Sequence, residues 1–230
     1  MVKIIIASSK KWHHSAFQKT AKKFKRHRWS YVSSPQELVS RLSKISPNYI
    51  FFLHWSWYVP KEILSKSECI CFHMTDVPYG RGGSPLQNLI LRRKKKTVVA
   101  ALQMIDKLDA GPVYIKKPLS LGGRAEEIYL RAGDLCWKII AWIIKKRPTP
   151  KLQIGKVVKF HRRKPDQSVL PLRGSLKSLY DFIRMLDAPT YPLAFLEYGK
   201  FCLKFSRASF SGNELHAHVA IRRRSLPDEK

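Results

Sequence analysis

Short uninterrupted runs of apolar residues alternate along the chain with longer stretches in which apolar positions recur every three or four residues. Such runs are typical of strands buried on both faces of a sheet, and the longer stretches are typical of amphipathic helices. Strands are predicted at residues 2–7, 29–32, 49–53, 69–72, 97–104 and 113–115. Helices are predicted at residues 15–26, 34–45, 61–64, 85–92 and 125–146. This order predicts an α/β fold with an open, mostly parallel, Rossmann-like sheet and helices on both faces.

The pattern becomes more irregular after Pro148 and Pro150, which favours a domain boundary there. We expect a first domain of residues 1–150 and a small α+β extension of residues 151–230, packed on the first. The extension should contain one helix, a hairpin and a last strand, at residues 175–186, 196–205 and around His216 and His218. Those two histidines would share a face, but a third metal ligand is not evident, so no metal is expected.

The chain carries 44 Lys and Arg against 16 Asp and Glu, a net charge of +28. This charge favours an anionic partner, such as nucleic acid or a sugar nucleotide, through long-range attraction. A basic but merely solvated surface is the alternative, and charge alone does not separate the two. No apolar run has the length of a membrane span, and the first residues lack the plan of a signal peptide. We therefore expect a cytoplasmic protein with no membrane partner.

Four cysteines are present, and none of them forms a CxxC pair. Cys69 and Cys71 would lie on one face of one strand, where a local disulfide has poor geometry. Reduced thiols are therefore expected. The adjacent pair His13-His14 has poor geometry for binding a metal from a helix, and both residues are predicted to lie on the surface.

The candidate chemistry begins with His73, at the carboxyl end of the predicted strand 69–72. A loop rich in Gly and Pro follows, and this edge of an open α/β sheet is where ligands bind. About thirty residues later Asp109 heads a second turn, Asp109-Ala110-Gly111-Pro112. Together His73 and Asp109 make a candidate acid–base pair.

The order and spacing of several residues in this region resemble the N10-formyltetrahydrofolate-dependent formyltransferases, a family that includes methionyl-tRNA and sugar-nucleotide formyltransferases. The matching positions are His73, Pro78, Arg81-Gly82, Pro85-Leu86-Gln87 and Leu108-Asp109-Ala110-Gly111. The resemblance covers roughly residues 2–221 and is closest over residues 47–111. It implies transfer of a formyl group from N10-formyltetrahydrofolate, the cosubstrate, to a primary amine.

Within this resemblance His73 would accept the proton that the attacking amine loses, and Asp109 would hold the imidazole and favour its protonated form. The family places an Asn two residues before this histidine, as a donor to the oxyanion. Here that position is Cys71, whose S–H is a weak donor. We expect another donor to have replaced it, with Gln87 and Asn88 as candidates.

The resemblance also implies binding residues. The expected folate-binding positions are Trp57, Tyr58, Val59, Thr75, Val77, Pro78, Ile105, Asp106 and Leu108. The expected acceptor-binding positions are Asp76, Arg81, Gly82 and Tyr191. Asp76 is an unexpected acid in this loop, and it could pair with an incoming ammonium group or simply cap the turn.

For the acceptor, a nucleotide-linked amino sugar is the first expectation. The chain is short for a methionyl-tRNA formyltransferase with an added RNA-binding domain, and residues 183–195 resemble the sugar enzymes. The alternatives are a methionyl-tRNA formyltransferase and a catalytically weak module that binds folate or nucleic acid. The second alternative is motivated by Cys71 and the net charge. Whether the chain forms a homodimer stays open.

Overall fold

The computed structural model describes residues 1–189 and 191–224. Its strands are β1 (Lys3–Ala7), β2 (Arg28–Val32), β3 (Tyr49–Phe52), β4 (Glu68–His73), β5 (Tyr79–Gly82), β6 (Lys96–Gln103), β7 (Val113–Ser120), β8 (Val158–Phe160), β9 (Ala194–Tyr198), β10 (Phe201–Ser211) and β11 (Glu214–Arg223). Its helices are α1 (His13–Lys23), α2 (Pro35–Leu42), α3 (Lys61–Leu64), α4 (Pro85–Leu91), α5 (Ala125–Lys146) and α6 (Leu176–Leu186), with a 3-10 turn at Pro165–Ser168.

Six strands form one sheet in the order β2-β1-β3-β4-β6-β7. β1 pairs in parallel with β2 and β3, and β3 pairs in parallel with β4. β4 pairs antiparallel with β6. The prediction of an α/β fold with a mostly parallel sheet is confirmed.

The apolar runs of the sequence form the central strands. Ile4, Ile5 and Ile6 of β1 are completely buried, and so are Ile50 and Phe51 of β3. A strand with both faces covered cannot alternate apolar and polar residues, which explains why these segments are continuously hydrophobic.

Contacts divide the chain into two compact units. The first unit comprises residues 1–85, 97–119 and 130–160, and the second comprises residues 86–96, 120–129 and 161–230. The six-stranded sheet and the β5–β8 pair belong to the first unit. The division of the chain into domains at residue 150 stays a prediction.

The second unit contains α6 and an antiparallel sheet in the order β11-β10-β9. α6 begins after Ser175, whose hydroxyl accepts the backbone N–H of Ser178, as expected of an N-cap residue. Arg184 of α6 is buried, and its guanidinium donates to the carbonyls of Leu121 and Gly123 at 2.7 and 2.8 Å. The expected helix, hairpin and last strand are all present.

The structure differs from the sequence prediction in several places, and one of them is β7, which continues to Ser120 instead of ending at residue 115. β5 and β8 pair in parallel, and neither was predicted as a strand. β10 continues to Ser211 instead of ending at residue 205, through a register shift between Ser206 and Ser209. The prediction that His13 lies on the surface is wrong, because its side chain is buried.

Candidate active site

His73 is the last residue of β4, and its side chain is 8% exposed. Nε2 of the ring lies 2.8 Å from the carbonyl oxygen of Gly80. The same oxygen accepts the hydroxyl of Thr75 at 3.2 Å. The loop that follows β4 thus curls back and fixes the ring from one side.

Asp109 approaches the ring from the other side. Its Oδ2 lies 3.5 Å from Nδ1 of His73 and accepts the backbone N–H of Gly82 at 2.9 Å. Asp109 has a φ of 51°, in the left-handed region that Asp tolerates better than most residues. The structure therefore brings together the histidine and the carboxylate that the sequence pattern had paired.

The hydrogen-bond roles at His73 follow from its two neighbours. A carbonyl only accepts, so the contact with Gly80 requires a hydrogen on Nε2. Nδ1 faces a carboxylate, which also only accepts. A ring with hydrogens on both nitrogens satisfies both contacts.

Gly82 has to be a glycine for two reasons. Its φ of 112° is unfavourable for residues with a side chain. A Cβ at this position would also lie 2.3 Å from the carbonyl oxygen of Phe160 in β8. The absence of a side chain lets β5 approach β8 and aims the N–H of Gly82 at Asp109.

Gln153 is a part of this site that the sequence pattern did not identify. Its Oε1 accepts two hydrogen bonds from Arg81, from Nε at 3.0 Å and from Nη2 at 2.8 Å. Its Nε2 donates to the carbonyls of Asp109 and Gly111 at 2.9 and 2.8 Å. No motif marks Gln153, because it lies in an irregular segment between α5 and β8.

Cys71 is half-buried in β4, two residues before His73, and pairs with Leu102 of β6. Burial, followed by the charge of Asp109, raises the pKa of the thiol. Cys71 therefore stays a neutral thiol with a weak S–H donor.

Neither expected substitute for the missing Asn has an amide free for that role. Both N–H groups of Gln87 are used, because Nε2 donates to the hydroxyl of Tyr129 and to the carbonyl of Met185. Nδ2 of Asn88 donates to the carbonyl of His161 at 3.1 Å. In this structure the two amides hold the second unit together.

The expected folate-binding residues fall into two groups. The side chains of Trp57, Tyr58, Ile105, Asp106 and Leu108 are exposed, whereas Val59, Thr75, Val77 and Pro78 are buried. Lys61 pairs with Asp106 at 2.7 Å, and this ion pair joins the start of α3 to the loop after β6. The exposed apolar side chains therefore lie on two neighbouring loops, one between β3 and α3 and one after β6.

The expected acceptor-binding residues are placed as follows. The carboxylate of Asp76 is held by Lys116 of β7 at 2.5 Å. Arg81 and Gly82 lie on β5 and contact Gln153 and Asp109. Tyr191 belongs to the second unit, where its backbone N–H donates to the carbonyl of Ala188.

A second pair of histidines lies in the first unit, away from the predicted motifs, with His13 buried and His54 half-buried. Nε1 of Trp137 donates to Nδ1 of His13 at 3.2 Å, which places the hydrogen of His13 on Nε2. That nitrogen lies 2.9 Å from Nδ1 of His54. Burial, then the neighbouring His54, lowers the pKa of His13 to about 3. Burial, then Lys10, lowers the pKa of His54 to about 4.

All four cysteines are free thiols. Within residues 1–189 and 191–224, no three His, Cys, Asp or Glu side chains are grouped as ligands for a metal ion. In the same part of the chain, no helix combines the length and the apolar character needed to cross a membrane.

Comparison with known proteins identifies the family to which the chain is related. Residues 165–222 match the family model of the methionyl-tRNA formyltransferase C-terminal domain. A solved methionyl-tRNA formyltransferase from Clostridium thermocellum is 43% identical, with a TM-score of 0.94, over 97% of this chain and 100% of the other.

Less similar proteins are also formyltransferases. The methionyl-tRNA formyltransferase of Thermodesulfovibrio yellowstonii is 25% identical over 162 residues, which are 67% of this chain and 51% of the relative. The chain thus spans about half the length of this curated relative. A sugar N-formyltransferase from a Shewanella species shares the fold, with 19% identity and a TM-score of 0.68 over 86% of this chain and 94% of the other. The identity shared with the Clostridium structure over both chains confirms the resemblance, and this chain belongs to the formyltransferase family.

Proposed function

We propose that this protein transfers a formyl group from N10-formyltetrahydrofolate to the amino group of methionyl-tRNA. The observation that carries the proposal is the buried pair of His73 and Asp109, 3.5 Å apart, with Asp109 fixed by the N–H of Gly82. Such a pair supplies the general base that an attacking amine needs.

The two ring nitrogens of His73 have different tasks. Asp109 keeps a hydrogen on Nδ1, so Nε2, after it has lost its own hydrogen, is the nitrogen that accepts the proton of the amine. The proton that Nε2 gains stays on the ring, where it can donate a hydrogen bond to the carbonyl of Gly80, 2.8 Å away. The charge of Asp109 stabilises the imidazolium that results.

The exposed apolar side chains of the two loops fit a flat, reduced-folate ring. Trp57 and Tyr58 on one loop and Ile105 and Leu108 on the other are all exposed, although large apolar side chains tend to be buried. Exposed apolar groups on adjacent loops mark a ligand site. The folate would be held by these side chains and would supply the formyl group when bound.

The structural comparison favours methionyl-tRNA over a nucleotide-linked amino sugar as the acceptor. The Clostridium enzyme of that name is covered completely by this chain, so chain length gives no ground for preferring the sugar. The similarity to the sugar enzyme is that of the fold. The net charge of +28 also suits a polyanionic acceptor. A cytoplasmic location would follow from this acceptor.

The test is a direct assay of both acceptors. Purified protein is supplied with formyl-labelled folate and either initiator methionyl-tRNA or a nucleotide-linked amino sugar, and His73→Asn serves as the inactive control. Label in the methionyl-tRNA supports the proposal. Label in the amino sugar alone would reject the tRNA acceptor. Folate binding without transfer to either acceptor would leave the weak binding module as the explanation.

A further inference from the structure

Gln153 uses its whole hydrogen-bonding capacity inside the candidate active site. A primary amide has two N–H groups and two acceptor lone pairs. In Gln153 both lone pairs face Arg81, at 3.0 and 2.8 Å, and both N–H groups face carbonyls, at 2.9 and 2.8 Å. Each donor and acceptor position of the Gln153 amide therefore has a hydrogen-bond partner.

The exposure of the residues next to Gln153 indicates that the hydrogen bonds of its amide determine the orientation of this segment. Leu152 and Ile154 are 80% and 91% exposed, whereas Gln153 between them is half-buried. Apolar residues ordinarily face inward and polar residues outward. Here the order is inverted, so the segment directs the amide inward and leaves two large apolar side chains in solvent.

The backbone on both sides of Gln153 is fixed. Lys151 and Val113 exchange two backbone hydrogen bonds, at 2.7 and 2.9 Å. Val158 donates to the carbonyl of Pro78 at 3.1 Å. Gln153 thus extends from a segment that is tied to β7 on one side and to the loop after β4 on the other.

The contacts of Gln153 close a ring around Asp109. Arg81 contacts the amide, and the next residue, Gly82, donates its N–H to the carboxylate of Asp109. The amide in turn holds the main-chain carbonyl of Asp109. β5 therefore contacts Asp109 in two ways. Gly82 binds its carboxylate directly, and Arg81 is connected to its backbone carbonyl through Gln153.

We infer that Gln153 is a positioning residue for the reaction, which holds Asp109 in its left-handed conformation and so keeps the carboxylate against Nδ1 of His73. This inference rests on the proposed function. It assigns Gln153 no contact with a substrate, and its effect on the proton transfer passes through Asp109. Loss of the amide should then lower kcat and leave the KM for the folate unchanged.

Two substitutions distinguish the hydrogen bonds that Gln153 accepts from those that it donates. Gln153→Ala removes all four hydrogen bonds. Gln153→Glu keeps an acceptor for Arg81 but lacks the N–H groups, and it turns an oxygen toward the carbonyls of Asp109 and Gly111. If positioning of Asp109 is the role, Gln153→Glu should be as impaired as Gln153→Ala. Gln18→Ala, at an exposed position of α1, is the matched control.

The experiment is a double-mutant cycle of Gln153→Glu with Asp109→Asn, with kcat as the readout. We expect Gln153→Glu to lower kcat about tenfold in the otherwise natural chain, since a misplacement of about 1 Å can cost up to ~100-fold. In the Asp109→Asn background the same change should lower kcat less than about twofold. Equal losses in both backgrounds would overturn the inference, because Gln153 would then act independently of Asp109.

A second readout does not depend on turnover. The 15N chemical shifts of the His73 ring report the hydrogens on its two nitrogens, and they should change in Gln153→Glu and stay unchanged in Gln18→Ala. Unchanged shifts in both variants would also reject the inference. Failure of the unaltered protein to formylate any acceptor would instead reject the proposed function, and the ring shifts would still test the role of Gln153.

Discussion

Oδ2 of Asp109 lies 3.5 Å from Nδ1 of His73 and at the same time accepts the N–H of Gly82 at 2.9 Å. One carboxylate oxygen thus links His73 to β5. The distance to the ring is longer than an ordinary hydrogen bond, so the interaction is mainly that of a charge beside the imidazole. The charge of Asp109 should therefore matter more than its shape.

Asp109→Asn tests the importance of that charge. Asparagine is nearly isosteric and its amide oxygen can still accept the N–H of Gly82, so the turn should survive. The imidazolium would lose its counter-charge, and we expect kcat to fall on the order of a hundredfold. The measurement is formyl transfer at saturating substrates. Asp134→Asn, an exposed change on α5, should be neutral, and an active Asp109→Asn would disprove the pairing.

His73→Asn should abolish turnover while leaving the affinity for tetrahydrofolate within about twofold, because the ring acts on the amine and not on the folate. Calorimetric titration with tetrahydrofolate measures the second quantity. A large loss of folate affinity would show that His73 holds the cosubstrate and would contradict the assigned role.

Cys71→Asn should raise kcat. The amides of Gln87 and Asn88 donate elsewhere, so the thiol is the side-chain donor at the position where the family places Asn. A carboxamide N–H donates better than a thiol, and an oxyanion donor contributes on the order of a hundredfold in rate. We expect kcat of the Cys71→Asn protein to be several-fold higher than that of the unaltered protein.

Cys71→Ala provides the opposite change, because it removes the donor and should lower kcat. Thermal unfolding of both variants checks that the β4–β6 pairing is retained. A Cys71→Asn protein that folds normally with unchanged or lower kcat would show that a backbone group already stabilises the formyl oxygen.

The pair of His13 and His54 should make the fold sensitive to acid. The pKa values of about 3 and about 4 lie below the 6.5 of an unfolded histidine. Between pH 6.5 and 4 the unfolded chain therefore binds protons that the folded chain does not. Stability present above pH 6.5 is lost as the pH falls, on the order of 2 kcal/mol for each of the two histidines between pH 7 and pH 5.

Urea unfolding at pH 7 and pH 5 measures that loss. In His13→Gln the difference between the two pH values should shrink, whereas His161→Gln, at an exposed position, should behave like the unaltered protein. An equal loss of stability in His13→Gln would assign the acid sensitivity to other groups.

The parts of the fold that could be predicted are those encoded by local pattern. β1 and β3 follow from continuous apolar runs, and α6 follows from its amphipathic spacing. β5 could not be predicted, because two of its four residues are glycines and only its pairing with β8 makes it a strand. The later part of β10 is rich in serine and has no clear alternation.

The same distinction applies to the site. His73 and Asp109 could be predicted because their residue types and spacing follow a family pattern. Gln153 could not, because its role depends on contacts with residues 72 and 44 positions away in the sequence. His13 was misplaced for a similar reason, since the residue that buries it, Trp137, lies 124 positions later.

The pairing of β5 with β8 determines where the chain can be shortened. A protein ending at residue 150, the predicted boundary, would lack Gln153 and β8, and β5 would become an unpaired edge strand open to pairing with other chains. Such a protein should aggregate. Its Asp109 should also be less well ordered, because Gln153 would be missing. A fragment intended to keep the pair of His73 and Asp109 intact has to extend at least through Phe160, whose carbonyl accepts the N–H of Gly83 at 3.1 Å.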